Sequence, residues 1–113
     1  MKIVFTTKGN TWNSKIDPRF GRADMFLVYD EELDTLTEVL NNETESMEHG
    51  AGLQTSKKVL GLNADIIITG NGAGQKALEI LKSVDAKMYV GAGDMSVEDA
   101  YKAYKENKLT KQF

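Results

Sequence analysis

The sequence contains no cysteine among its 113 residues, and it has one proline and four tyrosines but only one histidine. Without thiols, the chain forms no disulfide and supplies no thiolate ligand, which excludes cysteine-ligated iron–sulfur and zinc sites within one chain. The single histidine, His49, also excludes a site built from several imidazoles of one chain. A metal cluster would therefore have to be held by His49, by carboxylates or through the cluster's own ligands.

Long hydrophobic runs and an excess of positive charge are also missing. No apolar stretch approaches the roughly 18 residues of a membrane span, and the strand-like start at Lys2 lacks the features of a secretion signal. With 14 basic and 17 acidic residues, the net charge is −3. The sequence therefore lacks the positive excess that is typical of nucleic-acid-binding proteins. We therefore predict a cytoplasmic protein that binds neither nucleic acid nor membranes.

The length and the 41% hydrophobic content predict one domain, residues 1–113, with a single core. β-Branched and aromatic runs indicate strands, and apolar residues at helical spacing indicate helices. The predicted elements are strands at 2–7, 24–30, 35–40, 65–69 and 87–90, helices at about 53–62 and 73–84, and a third helix that begins at Ser96. This order predicts the α/β class, with the last two strands parallel to a neighbour. Residues 108–113 are expected to be a frayed tail.

The stretch Asp17–Phe26 carries the most informative pattern. It holds the only proline, Pro18, and two arginines, Arg19 and Arg22, with Gly21 between them. Proline stiffens the turn, and glycine permits a backbone geometry that other residues resist. Two permanently charged guanidiniums next to backbone amides predict an anion site. Either arginine could instead brace the loop against an acidic neighbour; bracing is favoured for Arg22, and ligand contact for Arg19.

A second candidate is the glycine-rich loop that follows the fourth strand. Its glycine spacing fits neither the P-loop nor the dinucleotide fingerprint. The loop is therefore a tight strand-to-helix turn, a place where a bulky ligand approaches the backbone closely, or both. In an open α/β sheet, such loops meet beyond the carboxyl ends of the strands, where helix N-termini favour anions. The candidate binding residues there are Gly70, Asn71, Gly72, Gly74 and, after the fifth strand, Gly91.

Three further residues have possible roles in binding or in packing. His49 is either a metal contact or an exposed loop histidine without a role. Trp12 either marks a partner surface or packs back onto the domain, and Phe20 is expected to anchor its loop in the core.

The first strand, residues 2–7, has no inward carboxylate for metal-dependent hydrolysis, and no serine lies in a nucleophile elbow. The sequence therefore predicts no catalytic machinery.

In their order along the chain, these features resemble the dinitrogenase iron–molybdenum cofactor-binding family. The resemblance rests on the strand Lys2–Thr7, the Asp17–Phe26 motif, the pair His49-Gly50 and the run Ala64–Gly70 with its continuation to Gly74, and it covers nearly the whole chain. It implies a ribonuclease-H-like mixed sheet of five strands in the order 3-2-1-4-5, with strand 2 antiparallel and about three helices. It also strengthens the case for His49 as a ligand contact.

The function that the resemblance implies is nitrogenase-related: a non-catalytic carrier of an anionic metal–sulfur cluster, the iron–molybdenum cofactor or a precursor, with handover to a protein partner. The expected contacts are the amides of Gly72 and Gly74, the Arg19 guanidinium and a metal contact from His49. Two alternatives stay open. One is a regulatory or interaction domain that binds a small organic or phosphorylated ligand or a protein partner, and the less favoured one is a metal-dependent hydrolase.

Overall fold

The computed structural model of the chain describes residues 1–41, 51–83 and 85–113. Within these ranges, helices pack on both faces of a mixed β-sheet. In chain order, the elements are β1 (Lys2–Thr7), β2 (Met25–Asp30), β3 (Thr35–Leu40), α1 (Ala51–Leu60), β4 (Ile66–Ile68), α2 (Gln75–Leu81), β5 (Lys87–Val90), α3 (Val97–Lys105) and β6 (Thr110–Lys111). No helix in the described ranges has the length and apolar character needed to cross a membrane.

The strands of the described sheet are ordered β3-β2-β1-β4-β5-β6. β2 is antiparallel to both β1 and β3, whereas β1, β4 and β5 are parallel to one another. The α/β class, the mixed sheet, the three helices and the antiparallel second strand are therefore confirmed. The prediction of five strands is wrong, because β6 pairs antiparallel with β5 and extends the order 3-2-1-4-5. The likeness to ribonuclease H stays a prediction.

The sixth strand lies within residues 108–113, so the prediction of a frayed tail there is wrong. Its two residues are exposed, and such a short polar run shows no alternation from which a strand could be predicted. Backbone pairing holds the segment instead: the Gln112 N–H donates to the Met88 carbonyl at 2.7 Å, and the Met88 N–H donates to the Phe113 carbonyl at 3.3 Å. The Phe113 ring also packs against the core.

Two apolar layers, one on each face of the sheet, hold the helices in place. Successive residues of β1 alternate between the layers, as the two-residue period of a strand requires. Val4 packs in the layer that contains Val59 of α1 and Leu81 of α2. Phe5 packs in the opposite layer, which contains Val97 of α3. Because both faces are covered, the two central strands β1 and β4 are buried on each side, as expected for the centre of an α/β sheet.

Short polar side chains define where helices begin and end. Ser96 caps α3, because its Oγ accepts a hydrogen bond from the Asp99 N–H at 3.1 Å. Asn63 and Asn107 adopt left-handed backbone conformations, with φ of 55° and 59°, shortly after α1 and α3. Asparagine tolerates this conformation better than most residues and often ends helices. The three helices begin within two residues of their predicted starts.

Candidate functional site

Three loops meet at the carboxyl ends of the parallel strands β1, β4 and β5. The motif loop consists of residues 17–24, directly before β2. It is joined to the loop after β4 by a hydrogen bond from the Asn71 N–H to the Pro18 carbonyl at 2.8 Å. The loop after β4 has a second such contact. It is joined to the loop after β5 by a hydrogen bond from the Gly91 N–H to the Gly70 carbonyl at 2.9 Å. The loops therefore converge at the sheet edge where α/β proteins commonly bind ligands.

Pro18 lies at the centre of this junction, directly against Gly70. A Cβ atom on Gly70 would lie 2.5 Å from the Pro18 Cα and 3.0 Å from the Gly93 Cα. Any side chain at position 70 would therefore push apart the backbones of neighbouring loops. Glycine is required at position 70 because the protein's own backbone approaches it closely. Of the two explanations for a glycine-rich loop, tight packing therefore applies to Gly70.

Asp17 is fully buried and anchors the motif loop to the sheet. Its N–H donates to the Thr6 carbonyl at 2.8 Å, and its carbonyl accepts from the Thr6 Oγ1 at 2.8 Å. The Thr6 Oγ1 also lies 2.7 Å from the Thr69 Oγ1. Two buried hydroxyls thus connect the motif loop, β1 and the end of β4, and they satisfy polar groups that burial would otherwise penalise.

Arg19 holds the Asp17 carboxylate in a two-point ion pair. The Arg19 Nε donates to Oδ1 at 3.1 Å and Nη2 donates to Oδ2 at 2.9 Å, while the Arg19 backbone N–H donates to Oδ1 at 2.9 Å. The Arg19 side chain is still 54% exposed, so part of the guanidinium stays accessible to a ligand. Arg19, for which ligand contact was favoured, therefore braces the loop as well.

The ion pair sets the charge state of both partners. Burial raises the pKa of the Asp17 carboxyl, but the hydrogen bonds and the positive charge of Arg19 outweigh this effect and lower it below its ordinary value of 3.8. The same contact raises the pKa of Arg19. Asp17 is therefore a carboxylate at neutral pH, and it fixes the orientation of the planar guanidinium.

The second half of the glycine-rich loop is held by Gln112, a residue that the sequence analysis missed. The Ala73 N–H donates to the Gln112 Oε1 at 3.1 Å, and the Gln112 Nε2 donates to the Ala73 carbonyl at 3.2 Å. Gly72, with φ of 86°, lies beneath this amide: a Cβ there would be 2.5 Å from Oε1. A single glutamine in a polar segment carries no sequence pattern that could have indicated this contact.

The open amides of the glycine-rich loop are the backbone N–H groups of Gly72, which is half-buried, and of Gly74, which is exposed. The amides of Asn71 and Ala73 donate to protein acceptors, whereas those of Gly72 and Gly74 donate no hydrogen bond within the described part of the chain. A Cβ on Gly74 would meet nothing within 4 Å, and α2, which begins after it, has no side-chain cap. Open donors in a glycine-rich turn favour an anionic partner.

The N-terminus of α3, in contrast, is covered by the long loop between β1 and β2, residues 8–24, whose second half is the motif loop. The Val97 N–H donates to the Ser14 carbonyl at 2.9 Å. The Glu98 N–H donates to the Trp12 carbonyl at 3.0 Å, and Ser96 caps the next amide. Because these donors are satisfied internally, α3 offers no open amides of the kind found at Gly72 and Gly74.

The two aromatic residues of the long loop pack onto the domain. Phe20 is 3% exposed and lies in the layer beneath α1 and α2, so the prediction that it anchors the loop is confirmed. Trp12 is half-buried, with its ring centroid 4.9 Å from that of Tyr29 and 5.9 Å from that of Tyr101. Of its two interpretations, the structure supports packing against the domain.

The remaining candidate site residues are Arg22, Gly91 and His49. Arg22 is half-buried and follows Gly21, whose carbonyl accepts a hydrogen bond from the Thr55 Oγ1 of α1 at 2.8 Å. Gly91 is exposed at the junction itself. His49 lies outside the described residues, and its role as a metal contact stays a prediction. Among the residues that the structure does describe, no three acidic or histidine side chains form a group able to hold a metal ion.

A separate cavity of about 210 Å³ lies at the opposite edge of the sheet, near the last turns of α1 and α2. Apolar Val59 and Leu81 line it together with the acidic Asp65 and Asp85. The carboxylates and the negative ends of the two helix dipoles disfavour an anion there. The open amides at the carboxyl edge are the better candidate for an anionic ligand.

The mixed sheet covered by helices defines the α/β class, in which ligands commonly bind beyond the carboxyl ends of the parallel strands. More narrowly, the chain belongs to the dinitrogenase iron-molybdenum cofactor family, whose model matches residues 1–107.

The solved structures that are similar to the chain along most of its length include two that share more than a quarter of its sequence. The apo form of the orange protein from Desulfovibrio gigas shares 26% sequence identity, with a TM-score of 0.90, and the match covers 97% of this chain and 91% of that chain. The solution structure of a proposed NifB protein from Thermotoga shares 28% identity, with a TM-score of 0.81 and the same coverage, 97% and 91%. No protein of curated function matches the chain.

Proposed function

We propose that this protein is a non-catalytic carrier of an anionic metal–sulfur cluster, the iron–molybdenum cofactor or a related precursor. The observation that carries the proposal is the pair of open amides at Gly72 and Gly74, at the junction where Pro18, the residue before Arg19, contacts the glycine-rich loop. Membership of the dinitrogenase iron-molybdenum cofactor family supports the nature of the cargo.

The donors at the junction match what an anionic cargo needs. Backbone N–H groups bind anionic arms of a cluster without a change in protonation, and a glycine turn lets them approach closely. Arg19 adds N–H donors whose orientation is set by Asp17. Because the Asp17 carboxylate compensates the charge of Arg19, the guanidinium contributes directed hydrogen bonds more than long-range attraction.

Reversible binding follows from the ligands that the chain has. With no cysteine in the sequence, no thiolate bond retains the cluster. Binding through amides and one guanidinium, with His49 as the proposed metal contact, permits transfer to a protein partner. This is the behaviour that a carrier requires and that a permanent cofactor site does not.

The test is anaerobic incubation with isolated iron–molybdenum cofactor, followed by size exclusion and measurement of iron and molybdenum in the protein fraction. Gly74→Ala is the informative variant: Gly74 has an ordinary φ of −70° and open space around it, so the methyl group blocks a ligand but not folding. Gly61→Ala is the matched control, since a Cβ at Gly61, in the turn after α1, meets only ordinary contacts, at 3.4 Å and beyond.

The wild type and Gly61→Ala should elute with bound metal, and Gly74→Ala should lose most of it. A wild type that elutes free of metal at micromolar concentrations would refute the carrier function. Retention by Gly74→Ala equal to that of the wild type would instead show that the cargo lies elsewhere. A companion His49→Ala sample tests the predicted metal contact, with weaker retention expected.

A second candidate rests on the same amides. Open N–H groups in a glycine-rich turn also accept phosphate, which would suit a regulatory domain with a phosphorylated ligand. No group of described carboxylates favours the hydrolase alternative. A thermal-shift series with phosphate-bearing metabolites separates the candidates: stabilisation by such a compound, lost in Gly74→Ala and without cluster retention, would favour the regulatory domain.

A further inference from the structure

Residues 110–113 form a strap along the outer edge of the sheet. Thr110 and Lys111 pair with Val90 and Tyr89 of β5. Beyond them, the backbone hydrogen bonds with Met88 and the packing of the last side chain against the core keep the segment docked. The strap lies outside residues 1–107, the stretch that the family model matches, so family membership assigns it no role.

The strap contacts the glycine-rich loop through one side chain. Both polar groups of the Ala73 backbone are bound to the amide of Gln112, one as donor and one as acceptor. The first half of the loop is fixed differently, by the Asn71 N–H and the Pro18 carbonyl. The loop is therefore clamped at two points, and the open amides at Gly72 and Gly74 flank the clamp at Ala73.

We propose that Gln112 is a positioning residue, which holds the Gly72 and Gly74 amides in the geometry that accepts the anionic cargo. The inference rests on the proposed function and adds to it a residue outside the binding contacts. Glycine has the largest conformational freedom in an unclamped loop, and Gly72 already has φ of 86°. Donors held in place before binding avoid the entropic cost of ordering them afterwards.

The clamp also uses space that only glycine leaves. A Cβ at position 72 would lie 2.5 Å from the Gln112 Oε1 and 2.9 Å from its Cδ. The side-chain amide of Gln112 therefore rests directly on the backbone of Gly72. Motion of the strap would change the surroundings of the Gly72 backbone N–H. Loss of this contact should loosen the loop locally while the rest of the sheet stays folded.

The first experiment compares amide hydrogen exchange in cargo-free wild type, Gln112→Ala and Lys111→Ala by NMR. Lys111 is the matched control because its exposed side chain lies in the same strap. We expect the Ala73 amide to exchange about tenfold faster in Gln112→Ala, a change of roughly 1.4 kcal/mol, and at the wild-type rate in Lys111→Ala. An unchanged rate in Gln112→Ala overturns the proposal, whatever the cargo does.

The second readout is retention of iron–molybdenum cofactor by the same three proteins. Gln112→Ala should bind about tenfold more weakly, and Lys111→Ala like the wild type. Faster exchange at Ala73 with wild-type affinity would show that the strap holds the loop without positioning the binding amides, and so would overturn the inference while the carrier function stands. If the wild type itself retains no cofactor, the carrier function fails and the positioning role with it. The exchange data need no cargo, so they separate these outcomes.

Discussion

The Arg19 guanidinium donates to both oxygens of the buried Asp17 carboxylate, with N···O distances of 3.1 and 2.9 Å. The two residues are only two positions apart, with Pro18 between them, and the same carboxylate also accepts from the Arg19 backbone N–H. This contact closes the motif loop on itself, while Thr6 ties Asp17 to the sheet. The loop that carries Arg19 to the binding edge is therefore stabilised by its own ion pair.

Replacement of the acid should destabilise the fold. In Asp17→Asn, the side chain keeps its size but loses its charge, so the buried network loses its charged acceptor. We expect the free energy of unfolding to fall by about 2 kcal/mol, which is within the range for hydrogen bonds to a charged group. Urea denaturation checks this, with Asp94→Asn as an exposed control at the same edge that should stay within about 0.5 kcal/mol of the wild type. Equal stability of both variants would show that the ion pair contributes nothing.

The contribution of Asp17 should depend on pH in one direction. Its pKa in the folded protein is below 3.8, so the unfolded chain takes up this proton at a higher pH than the folded chain does. The stabilisation is therefore complete well above the ordinary pKa and is lost as the pH falls through the folded value.

We expect the stability gap between wild type and Asp17→Asn to be constant from about pH 7 to pH 5 and to shrink below about pH 4. Urea titrations at four pH values measure it. The pKa of Glu31 is also lowered, mainly by its hydrogen bond to Lys105, but both proteins share this group, so its effect cancels in the difference. A gap that stays the same down to pH 3 would contradict the assignment.

The glycines of the 70–74 loop should differ sharply in their tolerance of alanine. At Gly70, the new methyl would meet the Pro18 backbone at 2.5 Å, and at Gly74 it would meet nothing within 4 Å. We expect a loss of about 3 kcal/mol for Gly70→Ala and of less than about 1 kcal/mol for Gly74→Ala. Thermal denaturation by circular dichroism distinguishes them, and similar melting temperatures for the two variants would disprove this assignment of their roles.

The hairpin between β2 and β3 offers a spectroscopic prediction. The Tyr29 hydroxyl donates to the Asp34 carboxylate at 2.7 Å, and this hydrogen bond, followed by burial, raises the pKa of Tyr29 to about 12. In Asp34→Asn, the negative charge is gone, so the pKa of Tyr29 should move towards 10. Ultraviolet titration shows the change, with Tyr29→Phe identifying which of the tyrosines responds. An unchanged alkaline titration curve would contradict the hydrogen bond.

Much of the fold follows from local patterns in the sequence. The predicted bounds of β1, β3 and β5 are confirmed because each strand contains at least two β-branched or aromatic residues. The antiparallel second strand is also confirmed. The sixth strand could not be predicted, since Thr110 and Lys111 are stabilised by pairing with β5 and not by any local preference.

The candidate site was predictable only in part, because contacts between residues distant in sequence also determine its geometry. Proline, glycine and arginine in one loop indicate an anion site, but only tertiary geometry assigns Arg19 to Asp17. Likewise, the glycine-rich loop is evident in the sequence, whereas its clamp by Gln112 depends on a contact between residues 39 positions apart. Local patterns carry no information about such a pairing.

The most direct test of the central claim is an anaerobic NMR titration of isotope-labelled protein with iron–molybdenum cofactor. If the cargo lies on the open amides, the Gly72 and Gly74 signals should shift or broaden first, and those near Val59 at the opposite edge should stay unchanged. No change at Gly72 and Gly74 at cofactor concentrations in the micromolar range, or changes confined to the opposite edge, would contradict the account.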